Sequence, residues 1–285
     1  MFVNSELFNP AGQSLDLAKG TRVLNLDLAQ QKKFVVVKKN TGLTVIDADS
    51  FKVIDQFSYE KGIAGSMYGL AVDDNDSTLY FTEAKKNLYI ANIDRSGLLT
   101  ITKKIDLSVG NKTTTPLGIG LSDKNIALVA LAIPNEVAVV DLAEGKVLSN
   151  IAVGVCPYAV IISKDKKFAF VSNFGGPHPK KGDRTEKSAG TDVAVDERSV
   201  ALRGSVTVID IKTRTTIAEI PTRIHPESMV LSPDGYLLYV SDESGDGISV
   251  VDTKTFAVVQ TITTKPDPSL PYGSLTTALT FSPDG

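Results

Sequence analysis

The sequence of 285 residues contains no tryptophan, one cysteine and two histidines, and each shortage excludes a class of site. Without tryptophan, no tryptophan-derived quinone cofactor can form and no indole can stack on a bound quinone. The single cysteine, Cys156, excludes an intrachain disulfide, a cysteine-based zinc cluster and a covalently attached c-type haem. The two histidines, His178 and His225, are too few for the binuclear zinc site of a phosphatase. We therefore expect the chain to hold no cofactor.

Several common functional signatures are also missing. The sequence has no glycine-rich phosphate loop and no G-x-S-x-G nucleophile elbow. No run approaches twenty apolar residues, so no membrane span is expected. The net charge of −3 argues against a nucleic-acid partner, which would require a basic face. The N-terminal MFVNSELFNPAG lacks the basic and apolar regions of a signal peptide, which leaves a mature, trimmed or cytoplasmic terminus open.

A phrase of turn and strand residues recurs along the chain. LSPDGYLLYVSD, which begins at Leu231, is followed by ISVVDTKTFAVVQTI, and related pairs of segments precede it. The position of Ser232 recurs at intervals of 44, 49, 41, 69 and 50 residues, at Ala29, Asp73, Ser122, Ser163, Ser232 and Ser282. The apolar residues alternate or form short β-branched runs, which indicates strands and not helices. This period predicts an all-β propeller of four-stranded antiparallel blades.

Each repeat is interpreted as strands a to d of one blade. Asp234 and Gly235 favour a tight turn between strands a and b. An aspartate closes strand c in every repeat, at Asp47, Asp94, Asp141, Asp210 and Asp252. We interpret these aspartates as caps of the turn between strands c and d, not as catalytic groups.

The domain prediction is a single, incomplete propeller over residues 1–285, with about five and a half blades of a seven-bladed protein. The segment from Gly12 to Gly20 is suited to pair with the last blade and close the ring. The isolated chain is then expected to expose open sheet edges and to be unstable or self-associating.

The phrases LSPDGYLLYVSDESGDGISVVDTKTFAVVQTI and VSNFGG…SVTVIDIKTRTTIAEI resemble the YVTN-type, WD40/YVTN-like propeller repeat, from Thr21 onward. SNFGG…GDRT…SAGT followed by VDERSVALRGSVTVID is similar to bacterial proteins that carry such a propeller ahead of an alkaline-phosphatase-superfamily phosphoesterase domain. Phe174 stands where that pattern has tryptophan, and SAGT is an inexact match. The resemblance implies a bacterial protein with a periplasmic or extracellular location. It also implies a downstream catalytic domain as a partner.

Blade four contains a long insertion, residues 174–204, between strands b and c. The distance from the anchor serine to the strand-c aspartate is 47 residues there, against 18 to 21 in the other blades, an excess of about 27 residues. Because loops between strands b and c share a face with the connections between strands d and a, we expect the insertion on that face. We also expect that deletion of Gly175 to Arg203, bridged by a short glycine-containing turn, leaves the propeller folded while weakening a ligand or partner contact.

The insertion offers several binding residues. The candidates for a ligand or partner are Asn173, Phe174, His178, Asp183, Arg184, Asp196 and Arg198. Arg184 and Arg198 are suited to a carboxylate or phosphate. Asp192, Asp196 and Glu197 are weaker candidates for Ca²⁺, although their spacing matches no EF-hand. The alternatives are a surface flap that docks a neighbouring domain, a small-molecule pocket, or a disordered loop.

The residues that lead into strand a face the same side. Tyr68, Tyr158 and Tyr272 are predicted either to surround the mouth of the central channel or to pack between blades. His225 and Glu227 are an acid–base candidate, with a simple turn role as the alternative.

Two functions follow as hypotheses. The first is a non-catalytic binding or scaffolding propeller, the accessory domain of an exported protein such as a phosphoesterase. The second is a lactonase-like hydrolase, since some similar propellers open lactone rings with acid, histidine and arginine side chains on one face. Its catalytic candidates are His225, Glu227, His178 and Arg184. Hydrolysis requires these four side chains to converge, and a binding propeller does not.

Overall fold

The computed structural model describes residues 14–17, 20–110, 112–123, 125–188, 190–267, 269, 273, 275–282 and 284–285. In these ranges, 22 strands form five four-stranded antiparallel sheets and one separate two-stranded sheet. The one-turn 3₁₀ helix Glu243–Gly245 follows the second strand of the fifth sheet. None of the described helical residues belongs to a helix long and apolar enough to cross a membrane.

The strand bounds follow the predicted repeats. Blade one contains β1 (Val23–Ala29), β2 (Phe34–Lys39), β3 (Gly42–Asp47) and β4 (Val53–Ser58). Blade two contains β5 (Gly65–Val72), β6 (Thr78–Glu83), β7 (Asn87–Ile93) and β8 (Leu99–Asp106). Blade three contains β9 (Pro116–Leu121), β10 (Ile126–Leu131), β11 (Glu136–Asp141) and β12 (Lys146–Ala152). Blade four contains β13 (Val155–Ile162), β14 (Phe168–Gly176), β17 (Gly204–Asp210) and β18 (Thr215–Thr222). Blade five contains β19 (Pro226–Leu231), β20 (Leu237–Asp242), β21 (Gly247–Asp252) and β22 (Ala257–Thr263).

The order of strands within each sheet confirms the all-β propeller. Strands a, b, c and d pair consecutively in every blade, and the first strands of successive blades contact one another. Of the expected sixth blade, Gly285 N donates to Ser282 O (2.9 Å), as in the other a–b turns. The described residues beyond 263 form no strand. The segment predicted to close the ring, from Gly12 to Gly20, lies partly outside the described residues.

The recurring aspartates do cap the turns between strands c and d. Asp47 Oδ1 accepts from Ser50 N (2.8 Å), and Asp210 Oδ1 accepts from Thr213 N (2.7 Å). Hydrogen bonds lower the pKa of both carboxyl groups, chiefly those from the Ser50 hydroxyl to Asp47 (2.7 Å) and from Thr213 N to Asp210. Asp94 lies one residue beyond its strand, so strand c of blade two ends earlier than predicted.

The hydrophobic core lies between neighbouring blades and not within them. Four buried clusters join blades one and two, two and three, three and four, and four and five. In the first, Phe81 of blade two is fully buried, and its ring centroid lies 5.5 Å from that of Phe57 in blade one. Burial of such side chains, at about 25 cal/mol per Å² of apolar surface, holds adjacent blades together.

In blades two and four, a polar side chain at the fifth residue of strand b joins the innermost strands of adjacent blades. Ser172 Oγ accepts from Ala159 N (3.0 Å) in its own blade and donates to Glu227 O (2.7 Å) in the next. Thr82 Oγ1 donates to Leu117 O (3.1 Å) in the same way. In blade one this position is occupied by Lys38, which is fully buried. These bonds fix the backbone that lines the central channel.

The insertion in blade four is a folded hairpin. Strand β14 continues to Gly176, so the irregular chain begins at Pro177 and not at Phe174. Within the insertion, β15 (Thr185–Ser188) pairs with β16 (Thr191–Ala194), and Val195 bridges to Ala201. Its described strands pair with each other and not with the propeller strands.

The insertion leans towards blade three on the predicted face. His178 Nε2 is 3.0 Å from Val153 O, in the connection that leads out of blade three. Asn135 Nδ2, in the loop between strands b and c of blade three, donates to Thr191 Oγ1 (3.1 Å). Both contacts lie on the face that carries the d–a connections and the b–c loops, which we call the upper face.

Candidate functional site

A cavity of about 420 Å³ opens where the first strands of the blades meet. Its lining includes Arg22, Met67, Tyr68, Tyr158, Glu227 and Glu243. These residues belong to blades one, two, four and five, so the cavity occupies the central channel. Smaller grooves of about 270, 290 and 330 Å³ lie between blades on the opposite face, beside the a–b turns.

A row of aromatic rings runs along the upper face at this cavity. The ring centroids of Tyr68 and Tyr158 are 5.4 Å apart, and those of Tyr158 and Phe174 are 6.5 Å apart. Phe174 stacks on His225 with 4.2 Å between centroids and planes 4° apart. We call Tyr68, Tyr158, Phe174 and His225 the aromatic row.

Glu227 is the acidic group of the cavity wall. Glu227 is the second residue of β19, and the pairing of β19 with β20 is irregular between Pro226 and Met229. The residue is only 8% exposed, and no described residue donates a hydrogen bond to its carboxylate. Burial, with a smaller contribution from Glu243, raises the pKa of Glu227 to about 7. The carboxylate thus faces the cavity without a partner.

Burial shifts the pKa values of several groups beside the cavity towards their neutral forms. Burial lowers the pKa of His225, whose Nδ1 lies 2.8 Å from Ser244 Oγ. Burial also raises the pKa of Tyr68 and of Tyr158. Arg22 lies on the exposed rim and forms no ion pair with either glutamate in the described structure.

The four residues proposed for hydrolysis do not converge. His225 and Glu227 lie at the channel, but His178 bonds to Val153 O and Arg184 Nη1 donates to Glu197 O (3.2 Å) in the insertion. The described side chains of the four form no hydrogen bond with one another. The acid–histidine–arginine arrangement predicted for a lactonase is therefore absent from the described residues.

The other candidates of the insertion bond locally. Asp183 Oδ2 accepts from Lys180 N (2.8 Å), and Asp196 Oδ2 pairs with Arg198 Nη2 (2.8 Å). Asp192 Oδ1 pairs with Lys187 Nζ (2.9 Å). The described residues contain no group of three acidic, histidine or cysteine side chains that could hold a metal ion. The Ca²⁺ candidates, Glu197 included, do not form such a group.

Three further predictions concern single residues. Asn173 is buried, and its Nδ2 donates to Ser205 Oγ (3.0 Å) and Thr207 Oγ1 (2.8 Å), which is a structural role. Burial raises the pKa of Cys156 to about 11, so its thiol is protonated at neutral pH, as an inert thiol would be. Tyr272 lies outside the described residues.

Sequence reasoning missed Glu243. The residue begins the 3₁₀ turn after β20, where its N–H donates to His225 O (3.0 Å). It lies in the b–c connection of blade five, which the topology places on the upper face. The rule that b–c loops share a face with the d–a connections also applies to Glu243. The length of this connection is ordinary, so nothing in the sequence distinguishes it from the other b–c loops.

Removal of the insertion is expected to leave the five blades folded. The ideal Cβ of Gly176 would lie 2.3 Å from Arg203 O, so the chain leaves and returns at adjacent points, and Asn-Gly can replace residues 178–202. The four inter-blade clusters contain no residue of this segment. Urea unfolding should stay cooperative and lose less than about 3 kcal/mol, the scale of a single mutation. Loss of the cooperative transition would show that the insertion belongs to the core.

The comparisons with known proteins show the fold. No protein-family model matches the chain, and no curated protein matches it significantly. A hydrazine synthase structure from Kuenenia stuttgartiensis is 19% identical with a TM-score of 0.53, covering 72% of this chain and 53% of that one. A functionally unknown protein from Desulfotomaculum acetoxidans DSM 771 is 15% identical with a TM-score of 0.57, covering 84% and 71%. The match spans about half the length of the hydrazine synthase chain.

Proposed function

We propose that this chain is a non-catalytic binding propeller that takes a small ligand into the upper end of its channel. The observation that carries the proposal is Glu227, a carboxylate 8% exposed and without a hydrogen-bond donor, on the wall of a cavity of about 420 Å³. That volume lies within the usual range of small-molecule pockets, and a few convergent polar groups among apolar walls are their typical lining. Tyr68 and Tyr158 of the aromatic row, together with Leu24 and Met67, supply apolar wall.

The wider assignment rests on the sequence resemblance. We propose that the chain is a YVTN-type propeller and serves as the accessory domain of an exported bacterial phosphoesterase. The insertion is then the surface that docks the catalytic domain, because Val200 and Leu202 are 38% and 49% exposed on it beside charged residues. In this proposal, the variant that lacks residues 178–202 binds the separately produced phosphoesterase domain less tightly.

Blocking the cavity tests the binding function. Ala278 is exposed and lines the cavity, so Ala278→Trp places an indole in it without removing a buried contact. Fragments of cationic, neutral and anionic character are to be screened by saturation-transfer NMR. We expect at least one class to bind the parent protein and to lose most of its signal with Ala278→Trp. The matched control is Ala143→Trp, at an exposed turn on the opposite face. A screen in which Ala278→Trp changes no binding would contradict the proposal.

The pKa of Glu227 favours one alternative function, lactone hydrolysis. A carboxyl group that titrates near pH 7 is suited to general acid–base catalysis of lactone opening. The pH-stat rate of hydrolysis of a γ-lactone is the direct test. We expect no rate above the uncatalysed one, because no described arginine or second base contacts Glu227. A rate that rises through pH 7 and is lost in Glu227→Gln would favour the hydrolase.

A further inference from the structure

We infer that the channel mouth selects an organic cation, a small molecule with a substituted ammonium group, and this inference rests on the proposed binding function. The juxtaposition that carries it is a nearly buried carboxylate that accepts no hydrogen bond from a described residue, a second carboxylate and two tyrosine side chains around one cavity. Neither the composition nor the motifs of the sequence indicate this class of ligand.

The charge of the cavity favours a cation. Glu227 is nearly buried and Glu243 is half-buried, and both line the same space. Glu243 acts on Glu227 as a like charge, which leaves the pair without internal compensation. Because Glu227 is nearly buried and accepts no hydrogen bond from a described residue, a ligand that brings positive charge gains more here than a neutral one. An anion would meet two carboxylates of its own sign.

The aromatic side chains favour an organic ammonium group over a metal ion. Tyr68 and Tyr158 line the cavity with their ring centroids 5.4 Å apart, and Phe174 continues the row. Aromatic faces attract ammonium groups and are the usual walls of quaternary-ammonium sites. A divalent metal requires more oxygen ligands than two carboxylates provide. The cavity is also large enough for several heavy atoms around the cationic centre.

Among the described residues that line the cavity, Arg22 carries the one cationic side chain. It lies on the exposed rim and is paired with neither glutamate in the described structure. It therefore does not neutralise the buried end of the cavity.

The test compares choline with 3,3-dimethylbutan-1-ol, its neutral carbon isostere, by isothermal titration at pH 8 with the full 285-residue chain. We expect choline to bind at least about tenfold more tightly than the isostere. Glu227→Gln should weaken choline binding by about tenfold, and Glu243→Gln should weaken it in the same direction. Glu144→Gln is the matched control, because it removes the same charge at an exposed turn on the opposite face. Its choline affinity should stay within about twofold of the parent.

The pH dependence is the second readout. Choline is permanently charged, so any change in its affinity with pH comes from ionisation of groups on the protein. As Glu227 ionises, with a pKa of about 7, affinity should rise about tenfold from pH 6 to 8. Burial raises the pKa of Tyr68 and of Tyr158, which keeps both neutral in this window, and it lowers the pKa of His225, which stacks on Phe174. Glu227→Gln should remove the rise.

The outcomes separate the two proposals. Equal binding of choline and its isostere, with both blocked by Ala278→Trp, overturns the cation inference and leaves the binding function standing. Retained choline affinity in Glu227→Gln also overturns it. If neither probe binds, the cation inference is overturned. If Ala278→Trp also leaves the fragment screen unchanged, the binding function is overturned as well.

Discussion

Gly69→Ala should lower the free energy of unfolding by about 2–5 kcal/mol, although it adds a single methyl group. Gly69 lies in β5 with φ +84°, and an ideal Cβ there would lie 2.1 Å from Leu117 O and 2.1 Å from Thr82 Oγ1. The left-handed conformation costs an alanine about 1–2 kcal/mol, and overpacking costs about 1–3 kcal/mol more. Leu117 O is backbone of the next blade, so relief requires two blades to separate.

Gly62→Ala is the matched control for this prediction. Gly62 has nearly the same φ, +82°, but no atom lies within 4 Å of its ideal Cβ. Alanine there should cost about 1–2 kcal/mol, the conformational part alone. Urea unfolding of both variants measures the difference, which isolates the contact between blades. Equal losses would show that the first strands of blades two and three can move apart freely.

The propeller could be predicted because its repeat consists of turn residues that form hydrogen bonds with their neighbours in the sequence. The blades repeat a turn between strands a and b, which in blades four and five includes the anchor serine: Ser163 Oγ accepts from Phe168 N (2.9 Å), and Ser232 Oγ accepts from Leu237 N (3.0 Å). Each also repeats the strand-c aspartate that caps the next turn. These contacts lie within a few residues, so the sequence carries them whatever the blades pack against. The glycines of the channel wall were overlooked, because their constraint comes from a neighbouring blade.

The site was predicted in part. Topology placed Tyr68, Tyr158, His225 and Glu227 on one face, and the structure brings all four to the channel. It places His178 and Arg184 elsewhere, since the insertion leans towards blade three and bonds to its own chain. That direction depends on long-range contacts such as the bond between Asn135 and Thr191, which no local pattern shows.

Lys38 is the clearest case of a residue whose role only the structure shows. In FVVVKK the lysines suggest an exposed strand end, because lysine is seldom fully buried. Lys38 is nevertheless completely buried, at the strand position that Thr82 and Ser172 occupy in other blades. Its Nζ contacts Tyr68 O, lies 3.1 Å from Gly69 O and lies 2.8 Å from Ser66 Oγ. The amine thus fixes the backbone that carries Tyr68 to the channel mouth.

The stability of the protein should therefore depend on pH through Lys38. Burial lowers the pKa of Lys38 well below its ordinary value, and no acidic side chain compensates for the burial. A neutral amine suits the site, since it donates to the two carbonyl groups while the neighbouring hydroxyls can donate to its lone pair. Between the lowered pKa and about 10.4, the unfolded chain carries a proton on this lysine that the folded protein lacks. Unfolding then takes up a proton, so the free energy of unfolding rises with pH.

Lys38→Met removes this proton uptake, so the difference in the free energy of unfolding between the parent and Lys38→Met isolates the contribution of Lys38. From the folded-state pKa of Lys38 up to about pH 10.4, the free energy of unfolding of the parent should rise relative to Lys38→Met. The expected slope approaches about 1.4 kcal/mol per pH unit, and the rise ends above that window because both states are then neutral. Tyrosines with raised pKa values, such as Tyr59 and Tyr68, are present in both proteins, so their contribution cancels in the difference.

The exposed Lys52 supplies the matched control, because Lys52→Met should follow the parent at every pH. Urea unfolding at intervals from pH 6 to 10 measures all three proteins. A constant difference between the parent and Lys38→Met across that range would mean that Lys38 keeps its proton when folded, and that the channel wall holds a buried ammonium group instead of a neutral amine.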